Sequence, residues 1–443
     1  MSEKAKPPSR LLFYLITLSL FLLILSSLSL RQFGDVSLLP GSVFRLILAN
    51  DTSINVRPNV QRDSKIKTIP FLSPLSSKTQ SPNSGPSSEG AICPPSRSLS
   101  CEKNRAVLKH SMEFWLTLDL LASNAPSVVK ACSAVRVENS SEADIFFVPF
   151  FSSLSYNRYS KPLGKEKLVL NRILQEKLVQ YLLGQDLWKR HGGKDHLIVA
   201  HHPNSMLHSR KKLASAMFVL ADFGRYPAKV ANIEKDIIAP YKHVVRSIPN
   251  DQSAKFDQRS ILAYFKGAIY RKDGGTIRQE LYYLLKDEKD VHFTFGSYGK
   301  NGVNKANAGM ASSKFCLHIA GDTPSSNRLF DIVATHCVPV IISDEIELPF
   351  EDVLDYSDFC VFVHASDAIK PGYLLKLLRG IDRDEWTKMW VRLQEIAPHF
   401  EYNYPSKPDD AVDMIWKAVR RKVSAVRLEL NRKKRYYRSQ PTS

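Results

Sequence analysis

The chain has 443 residues, of which 44% are hydrophobic and 24% charged, a balance typical of a globular protein long enough for more than one domain. Its formal net charge of +18 favours a polyanionic partner such as nucleic acid, a membrane surface or an acidic substrate. No C-x-x-C pair, zinc-finger spacing or RNA-binding signature occurs in the sequence, which argues against a zinc site and against nucleic acid.

A hydrophobic segment at 11–30 contains no charged residue and no proline. Its length of about 20 residues is what a helix needs to cross a bilayer core of about 30 Å. Lys4, Lys6 and Arg10 precede it, so the positive-inside rule predicts a cytoplasmic tail at 1–10 and a lumenal remainder. A cleaved signal peptide is the alternative, which the long apolar run and the missing A-x-A site disfavour.

Two N-glycosylation sequons, which begin at Asn50 and Asn139, are consistent with a lumenal domain. In an oxidising lumen Cys93 and Cys101 are close enough in sequence to pair. The cysteines in or beside apolar runs are expected to be buried free thiols: Cys316, Cys337 and Cys360.

Residues 31–104 are predicted to form a disordered stem, because the part from about 50 to 100 is rich in Ser and Pro and cannot bury enough apolar surface to fold. Beyond the stem, helices alternate with apolar strands in a first lobe at 105–255. Helical spacing covers 106–123 and 165–183, and buried strands are predicted at 143–149, 196–200 and 216–222.

The pattern restarts in a second lobe at 256–385, followed by C-terminal helices and a basic tail at 386–443. Fully apolar strands that alternate with helices indicate parallel sheets, so the predicted fold class is α/β, with two doubly wound lobes facing a cleft. In the second lobe, strands are predicted at 261–265, 291–295, 317–320, 338–343 and 360–363, helices at 276–285 and 327–334, and a short helix or turn at 311–317.

A polar turn at 321–327 leads into one of these helices, and free N–H groups at a helix start favour an anion such as phosphate. Arg328 and Asp331 lie three residues apart and can face the same side. An arginine suits phosphate, and a carboxylate accepts hydrogen bonds from sugar hydroxyls. The alternative is a capped helix with a surface salt bridge.

The same segment resembles the C-terminal lobe of exostosin-family glycosyltransferases. The shared features are Gly-x-x-Pro at 321–324, Arg-x-Phe-Asp at 328–331, a cysteine with Val-Pro-Val-Ile at 337–341, and an acidic residue followed by Leu-Pro-Phe at 344–350. Further blocks that resemble plant members occur at 221–225, 231–236, 240–241, 264–267, 271–272 and 277–278, so the resemblance covers about 105–385.

The resemblance implies a GT-B fold, with the acceptor on the first lobe and a nucleotide sugar, expected to be a UDP-sugar, on the second. It also implies inversion at the anomeric carbon without a metal, a Golgi membrane address, and synthesis of plant cell-wall polysaccharide, alone or as a homo- or hetero-oligomer with other glycosyltransferases. By length and by its basic C-terminal helix and tail, the chain looks like the subgroup of arabinosyltransferases of pectic arabinan.

Transfer from such a donor needs positive charge around the departing nucleoside diphosphate. The candidates are Lys266, Arg271, Arg278 and Arg328. Asp331 is expected to hold ribose or sugar hydroxyls.

Inversion also needs a general base for the acceptor hydroxyl. The candidates are Asp222 and His202, each of which follows a predicted strand of the first lobe.

A metal-dependent enzyme would carry an Asp-x-Asp motif, and one occurs at 382–384, where capping of the next helix explains it better. His201 and His202 are interpreted as cleft lining and not as zinc ligands. Two other classes of function stay open: a non-catalytic lumenal protein that stabilises an active relative, and a membrane-tethered protein that binds polyanions.

Overall fold

The computed structural model describes residues 66–70, 111–123, 133–159, 165–223, 227, 229–271, 275–296 and 300–437. Within these ranges no helix is both long and apolar enough to cross a membrane. The predicted anchor at 11–30, the sequon at Asn50 and the cysteine pair Cys93 and Cys101 lie outside the described residues.

The first of two sheets consists of six parallel strands in the order β2-β1-β3-β4-β5-β6. The strands β3, β4 and β5 are buried at every position, as their uninterrupted apolar runs predict. The bounds are β1 Ile66–Pro70, β2 Ala134–Arg136, β3 Ile145–Val148, β4 His196–Ala200, β5 Met217–Leu220 and β6 Ile237–Ile238.

The strand β1 corrects the prediction that 31–104 forms a disordered stem throughout. Its residues pair in parallel with β2 on one side and β3 on the other, so β1 fills the place between them. Five residues set between Ser- and Pro-rich stretches give no periodic signal of their own, and only the ladder with strands far along the chain identifies them as a strand.

Helices connect these strands. The helix α1 begins in the middle of the predicted run at 106–123, and α3 matches the prediction closely. The bounds are α1 Met112–Ala122, α2 Ser152–Tyr159, α3 Lys165–Gly184 and α4 Asp186–His191.

The second sheet has five parallel strands in the order β11-β10-β9-β7-β8, where β7 is Ile261–Gly267 and β8 is Val291–Phe295. Read from β8, this is a doubly wound 2-1-3-4-5 order, which places a topological switch point between β7 and β9. The remaining strands are β9 Ser313–Ile319, β10 Val338–Ile342 and β11 Val361–Phe362.

The short helix or turn predicted at 311–317 is wrong, because β9 already begins at Ser313. The helix before it, Lys300–Ala311, gives no strong apolar pattern in the sequence. The helices of this half are α5 Ile277–Leu285, α6 Lys300–Ala311, α7 Asn327–Ala334, α8 Ala365–Ala368, α9 Tyr373–Gly380, α10 Arg383–Ile396 and α11 Ala411–Tyr437.

The C-terminal helix α11 returns to the first sheet. The indole N–H of Trp416 donates to Asp119 Oδ2 of α1 at 3.2 Å, and Ser133, just before β2, donates to Asp413. Trp416 shares a hydrophobic core with Leu197 of β4 and with Phe330 of α7. One buried cluster therefore joins α1 and α11 with both sheets.

A disulfide joins Cys316 of β9 to Cys337, the residue before β10. This corrects the expectation that both would be free thiols. Their apolar surroundings predict burial, which the structure has, but not that two adjacent strands bring the sulfur atoms together. Cys360 is a buried free thiol, as expected.

Candidate active site

A cavity of about 370 Å³ lies at the carboxyl end of β7, beside the switch point of the second sheet. It is lined by all five residues that the sequence predicts to bind a donor: Lys266, Arg271, Arg278, Arg328 and Asp331. We call it the arginine cavity. The structure therefore brings together residues that are up to 65 positions apart in the chain.

Arg328 projects from the first turn of α7 and is partly buried. Its Nη2 donates to the carbonyl oxygen of Lys266 at 2.9 Å, and its guanidinium carbon lies 4.5 Å from the centre of the Phe265 ring. This one hydrogen bond occupies only part of the guanidinium fork, which carries five N–H groups. Arg328 therefore keeps donors that can reach a ligand in the cavity.

Arg278, on α5, is 4% exposed and has a different role from Arg328. All three of its guanidinium nitrogens donate to backbone carbonyls, those of Ala268, Ile319 and Ala320, at 2.6 to 3.2 Å. A Cβ at Gly321 would come within 2.7 Å of its Nη2, so the glycine is needed for this close approach. Arg278 thus binds the ends of β7 and β9 to each other and adds positive charge to the cavity wall.

Arg271 and Lys266 are two other cations of the cavity. Arg271 Nη1 lies 2.9 Å from Asp322 Oδ2, with the two side chains 38% and 48% exposed. Such an exposed pair is worth at most about 1 kcal/mol, so Arg271 can exchange Asp322 for an anionic ligand at little cost. Lys266 is partly buried and lies near the end of β7.

The three arginines make the cavity strongly electropositive. Burial lowers the pKa of Arg278 to about 9, and the charges of Arg328 and Arg271 contribute to the lowering. Burial also lowers the pKa of Arg328 to about 10, where Asp331 opposes the shift and Arg271 adds to it. Both groups stay protonated at neutral pH, and an anion that binds between them would relieve their mutual repulsion.

Asp331 lies one helical turn beyond Arg328 and faces the same cavity. Its Oδ1 accepts hydrogen bonds from the backbone N–H groups of Val244, at 2.6 Å, and Val245, at 3.2 Å. Burial raises the pKa of Asp331, although those two N–H groups lower it. Asp331 therefore ties the connection between the two sheets to α7, a role that the sequence did not indicate.

The N-terminus of α7 opens into the cavity without a side-chain cap. Ser326, at the N-cap position, lines the cavity, and its buried Oγ has no hydrogen-bond partner among the described residues. The preceding turn is fixed from behind, because the buried His318 donates from Nε2 to the carbonyl oxygen of Pro324 at 3.1 Å. Burial lowers the pKa of His318 to about 3, so its ring is neutral. An uncapped helix start that faces a ligand-sized space is suited to phosphate.

The two base candidates lie elsewhere, at the carboxyl ends of the neighbouring strands β4 and β5. Asp222 is 4% exposed, and neither Asp222 nor His202 is among the described residues that line the arginine cavity. His202 packs on Tyr156, with ring centres 4.3 Å apart, and its Nδ1 accepts from the N–H of Asn204 at 3.1 Å. In a neutral His202 this leaves the proton on Nε2.

Glu113, on α1, is a functional candidate that the sequence reading missed. It is 2% exposed, and its Oε1 accepts from the hydroxyl of Ser152, from the N–H and hydroxyl of Ser153, and from the N–H of His201. The Ser153 hydroxyl in turn accepts from the N–H of His202 at 2.8 Å. One carboxylate therefore positions the segment that carries both histidines. An isolated Glu in an apolar helix gives no such signal, because its partners come from other elements.

The described ranges contain no group of three or more His, Cys, Asp or Glu residues placed to hold a metal ion. In the Asp-x-Asp motif, Asp382 caps α10, where its Oδ1 accepts from the N–H of Glu385 at 2.8 Å. The sequence interpretation of this residue as an N-cap is confirmed. The predicted sequon at Asn139 lies in an exposed turn, where Asn139 Oδ1 accepts from the Ser141 hydroxyl at 2.9 Å.

Comparison with known proteins adds independent information. A model of the exostosin GT47 domain matches residues 95–378. The probable arabinosyltransferase ARAD1 of Arabidopsis thaliana is 38% identical over 329 residues, which cover 74% of this chain and 72% of that protein. The probable glucuronoxylan glucuronosyltransferase IRX7 of the same plant is 26% identical over 328 residues, with coverages of 66% and 67%.

Among solved structures, that of TarM aligns with 60% of this chain and 58% of its own, at 10% identity and a TM-score of 0.30. This similarity is too low to support any conclusion. The match to the family model spans more than half of the chain, and the arginine cavity lies within the matched residues. The chain therefore belongs to the exostosin GT47 family and is a glycosyltransferase.

Proposed function

We propose that this chain is a GT-B-type transferase that moves a sugar, with inversion, from a UDP-sugar to a growing cell-wall polysaccharide, without a metal ion. The observation that carries the proposal is the arginine cavity. Five polar residues from three elements and one loop converge there, at the switch point where open parallel sheets bind ligands. Its volume of about 370 Å³ is in the usual range for small-molecule sites.

The residues of the arginine cavity bind different parts of the donor. Arg328 and the uncapped start of α7 bind the diphosphate, because they offer free donors beside positive charge. Arg271 exchanges Asp322 for the phosphate, and Lys266 adds a further positive charge. As the sugar leaves, negative charge grows on the diphosphate, and these fixed cations stabilise it more than they stabilise the intact donor.

Inversion is a single displacement in which the acceptor oxygen attacks the anomeric carbon and gives up its proton to a base. Asp222 is the better of the two base candidates. His202 accepts a hydrogen bond at Nδ1 and so holds its remaining proton on Nε2, which leaves no free nitrogen for a second proton. The acceptor lobe is then the first sheet, at the carboxyl ends of β4 and β5.

The transferred sugar is proposed to be arabinose and the acceptor pectic arabinan. The support is the 38% identity to a protein named as a probable arabinosyltransferase, which exceeds the 26% to one named as a glucuronosyltransferase. The net charge of +18 also suits an acidic pectic chain, which it would attract over distance.

The proposed location is the Golgi membrane, with one anchor at 11–30 and the folded part in the lumen. The apolar run after three basic residues supports the topology. The disulfide between Cys316 and Cys337 supports an oxidising compartment, because cytosolic thiols are normally kept reduced. The exposed sequon at Asn139 is in a position that a glycosylation enzyme can reach.

The test is a transfer assay with the full-length chain purified in detergent, since a truncation after residue 70 would remove β1. Labelled UDP-sugars are offered with arabinan oligosaccharides, and the anomeric configuration of the product is read by NMR. We expect transfer with inversion that survives a chelator and is lost in Arg328→Ala. Arg172→Ala, an exposed arginine on α3, is the matched control and should keep activity.

Two outcomes would contradict the proposal. If Arg328→Ala transfers sugar as fast as the wild type, the arginine cavity is not the donor site. If the pure wild-type chain transfers no sugar but restores transfer by a related enzyme when added to it, the chain is a non-catalytic partner.

A further inference from the structure

Four aromatic side chains, three of them exposed, form a cluster at the ends of β7 and β8 and on α5. They are Tyr270, Tyr282, Tyr283 and Phe295, which we call the aromatic platform. Tyr270 and Tyr283 are each 55% exposed and Phe295 is 51% exposed. Ring centres are 5.7 Å apart for Tyr270 and Phe295, 5.6 Å for Tyr282 and Phe295, and 5.4 Å for Tyr282 and Tyr283.

The platform is attached to the core but is not part of it. Tyr282 contacts the buried Phe293, with ring centres 6.0 Å apart, and so anchors the cluster. The outer rings remain exposed to solvent. Burial of their apolar surface by a ligand would contribute about 25 cal/mol per Å² to binding. A contiguous exposed group of large apolar rings usually marks an interaction surface.

The platform adjoins the arginine cavity, because two of its residues directly precede residues that line it. Phe295 is followed by Gly296, which lines the cavity and donates from its N–H to the carbonyl oxygen of Gly267 at 3.0 Å. Tyr270 is followed by Arg271, which also lines the cavity. No platform residue is itself among the described lining residues. The platform therefore lies beside the cavity, within reach of a polymer whose end is bound near it.

The chemical character of the aromatic rings indicates which kind of ligand binds them. A sugar ring has faces of C–H groups, which pack against aromatic rings, and a rim of hydroxyls, which need hydrogen-bond partners. The platform offers both, since three of its four members are tyrosines and the hydroxyl oxygens of Tyr270 and Tyr283 lie 3.2 Å apart. A single nucleobase would cover one ring, whereas this surface has three exposed rings.

We propose that the aromatic platform is a subsite for the polysaccharide acceptor, which binds sugar residues several units away from the reacting end. The inference rests on the proposed function, because it takes a glycan as the second substrate. The platform holds distant units of the polymer on the second lobe, while its reacting end lies between the arginine cavity and the carboxyl ends of β4 and β5. Acceptor length then becomes a determinant of affinity, since only a chain long enough to reach the platform gains these contacts.

The experiment measures KM for arabinan oligosaccharides of increasing length with the full-length chain. The variants are Tyr270→Ala, Tyr283→Ala and the double variant, all at exposed positions, and Tyr283→Ala lies on a helix that favours alanine. The control is Tyr373→Ala, an exposed tyrosine on α9. We expect KM for long acceptors to rise about 10-fold in the double variant, as two lost aromatic contacts predict. KM for the shortest acceptors, KM for the donor and kcat should stay unchanged.

A raised KM for the UDP-sugar, with acceptor KM unchanged, would overturn the proposal in favour of nucleobase stacking. A change in oligomeric mass would overturn it in favour of contact between copies of the chain. Acceptor KM values equal to that of the wild type in all variants would also overturn it.

Affinity electrophoresis in gels that contain arabinan tests glycan binding by the platform independently of enzyme activity. Retardation of the wild type that the double variant loses would support the subsite even if no sugar transfer occurs, in which case only the proposed function fails.

Discussion

Arg328 rests directly on Gly267: a Cβ at Gly267 would lie 2.1 Å from Arg328 Nη2, closer than any two such atoms can approach. The glycine at the end of β7 therefore creates the space in which the guanidinium donates to the carbonyl oxygen of Lys266. Gly267, which has no side chain, therefore determines the position of the Arg328 guanidinium in the arginine cavity.

Gly267→Ala should displace Arg328 and lower kcat/KM for sugar transfer by about 100-fold, the usual cost of losing one preorganised charge stabiliser. Steady-state transfer with the best UDP-sugar measures the effect. The control is Gly380→Ala at the end of α9, where an added Cβ has no atom within 4 Å. Full activity of Gly267→Ala would mean that the position of Arg328 does not matter for transfer.

Two substitutions of Asp331 test whether its hydrogen bonds to Val244 and Val245 stabilise the protein. In Asp331→Ala the N–H groups of Val244 and Val245 lose their acceptor, which we expect to lower the free energy of unfolding by about 1–3 kcal/mol. Asp331→Asn keeps an acceptor oxygen and removes a charge whose burial is unfavourable, so it should stay within about 0.5 kcal/mol of the wild type. Urea unfolding distinguishes the two. Equal losses in both variants would show that the charge, and not the hydrogen bonds, stabilises this region.

Much of the arginine cavity could be predicted from the sequence because its signals are local. The helix α7 has the predicted bounds, and the spacing of Arg328 and Asp331 places both on one helical face. The strands β7 and β8 are recognisable from short apolar runs. Each of these features depends on residues a few positions apart.

The features that the sequence did not indicate depend on contacts between distant segments. The strand β1 is recognisable only by its partners, Ala134 to Arg136 and Ile145 to Phe147. The disulfide between Cys316 and Cys337 requires β9 and β10 to be neighbours. The site of Glu113 is assembled from α1, α2 and the end of β4, more than 80 residues apart.

His243 and Glu401 should make stability depend on pH. His243 Nε2 lies 2.6 Å from Glu401 Oε2, and its Nδ1 lies 2.8 Å from the carbonyl oxygen of Val245, so both ring nitrogens face acceptors. Burial and the nearby Lys242 lower the pKa of His243, but the hydrogen bond and charge of Glu401 raise it above the ordinary value. Burial raises the pKa of Glu401, and its interactions with His243 lower it overall.

The contribution of His243 is therefore complete below about pH 6.5, its unfolded pKa, and disappears as pH rises through its higher folded value. That of Glu401 is complete above about pH 4.5 and disappears on acidification. We expect His243→Ala to lower the unfolding temperature more at pH 6 than at pH 9. His364→Ala, at a side chain that is 80% exposed, is the control for the loss of an imidazole at the surface. A constant difference for His243→Ala across this range would contradict the charged pair.

Asp382 should behave as a helix cap and not as a metal ligand. Asp382→Ala removes the acceptor for the N–H of Glu385 and should lower the free energy of unfolding by about 1 kcal/mol. Transfer activity, and its response to a chelator or to added divalent cations, should equal that of the wild type. Asp382→Asn, which also caps helices well, should restore the stability. Loss of a metal-stimulated activity in Asp382→Asn would identify the motif as a metal site instead.

Glu113 should be sensitive to substitution, because several groups share its one carboxylate oxygen. Glu113→Ala leaves the N–H groups of Ser153 and His201 and the Ser153 hydroxyl without their acceptor, so we expect the free energy of unfolding to fall by about 3 kcal/mol or more. Glu113→Gln keeps Oε1 but places an amide at the position of Oε2, a buried atom without a hydrogen-bond partner in the described part of the chain. The loss in free energy of unfolding for Glu113→Gln should be smaller, about 1–3 kcal/mol.

The same network should also affect the kinetics. Because it holds the backbone of His201 and His202, Glu113→Gln should raise KM for the acceptor and leave KM for the UDP-sugar unchanged. Urea unfolding and steady-state kinetics measure both effects, with Glu142→Gln, at an exposed glutamate before β3, as the control. A raised KM for the UDP-sugar in Glu113→Gln would show that the network of Glu113 also affects the donor site.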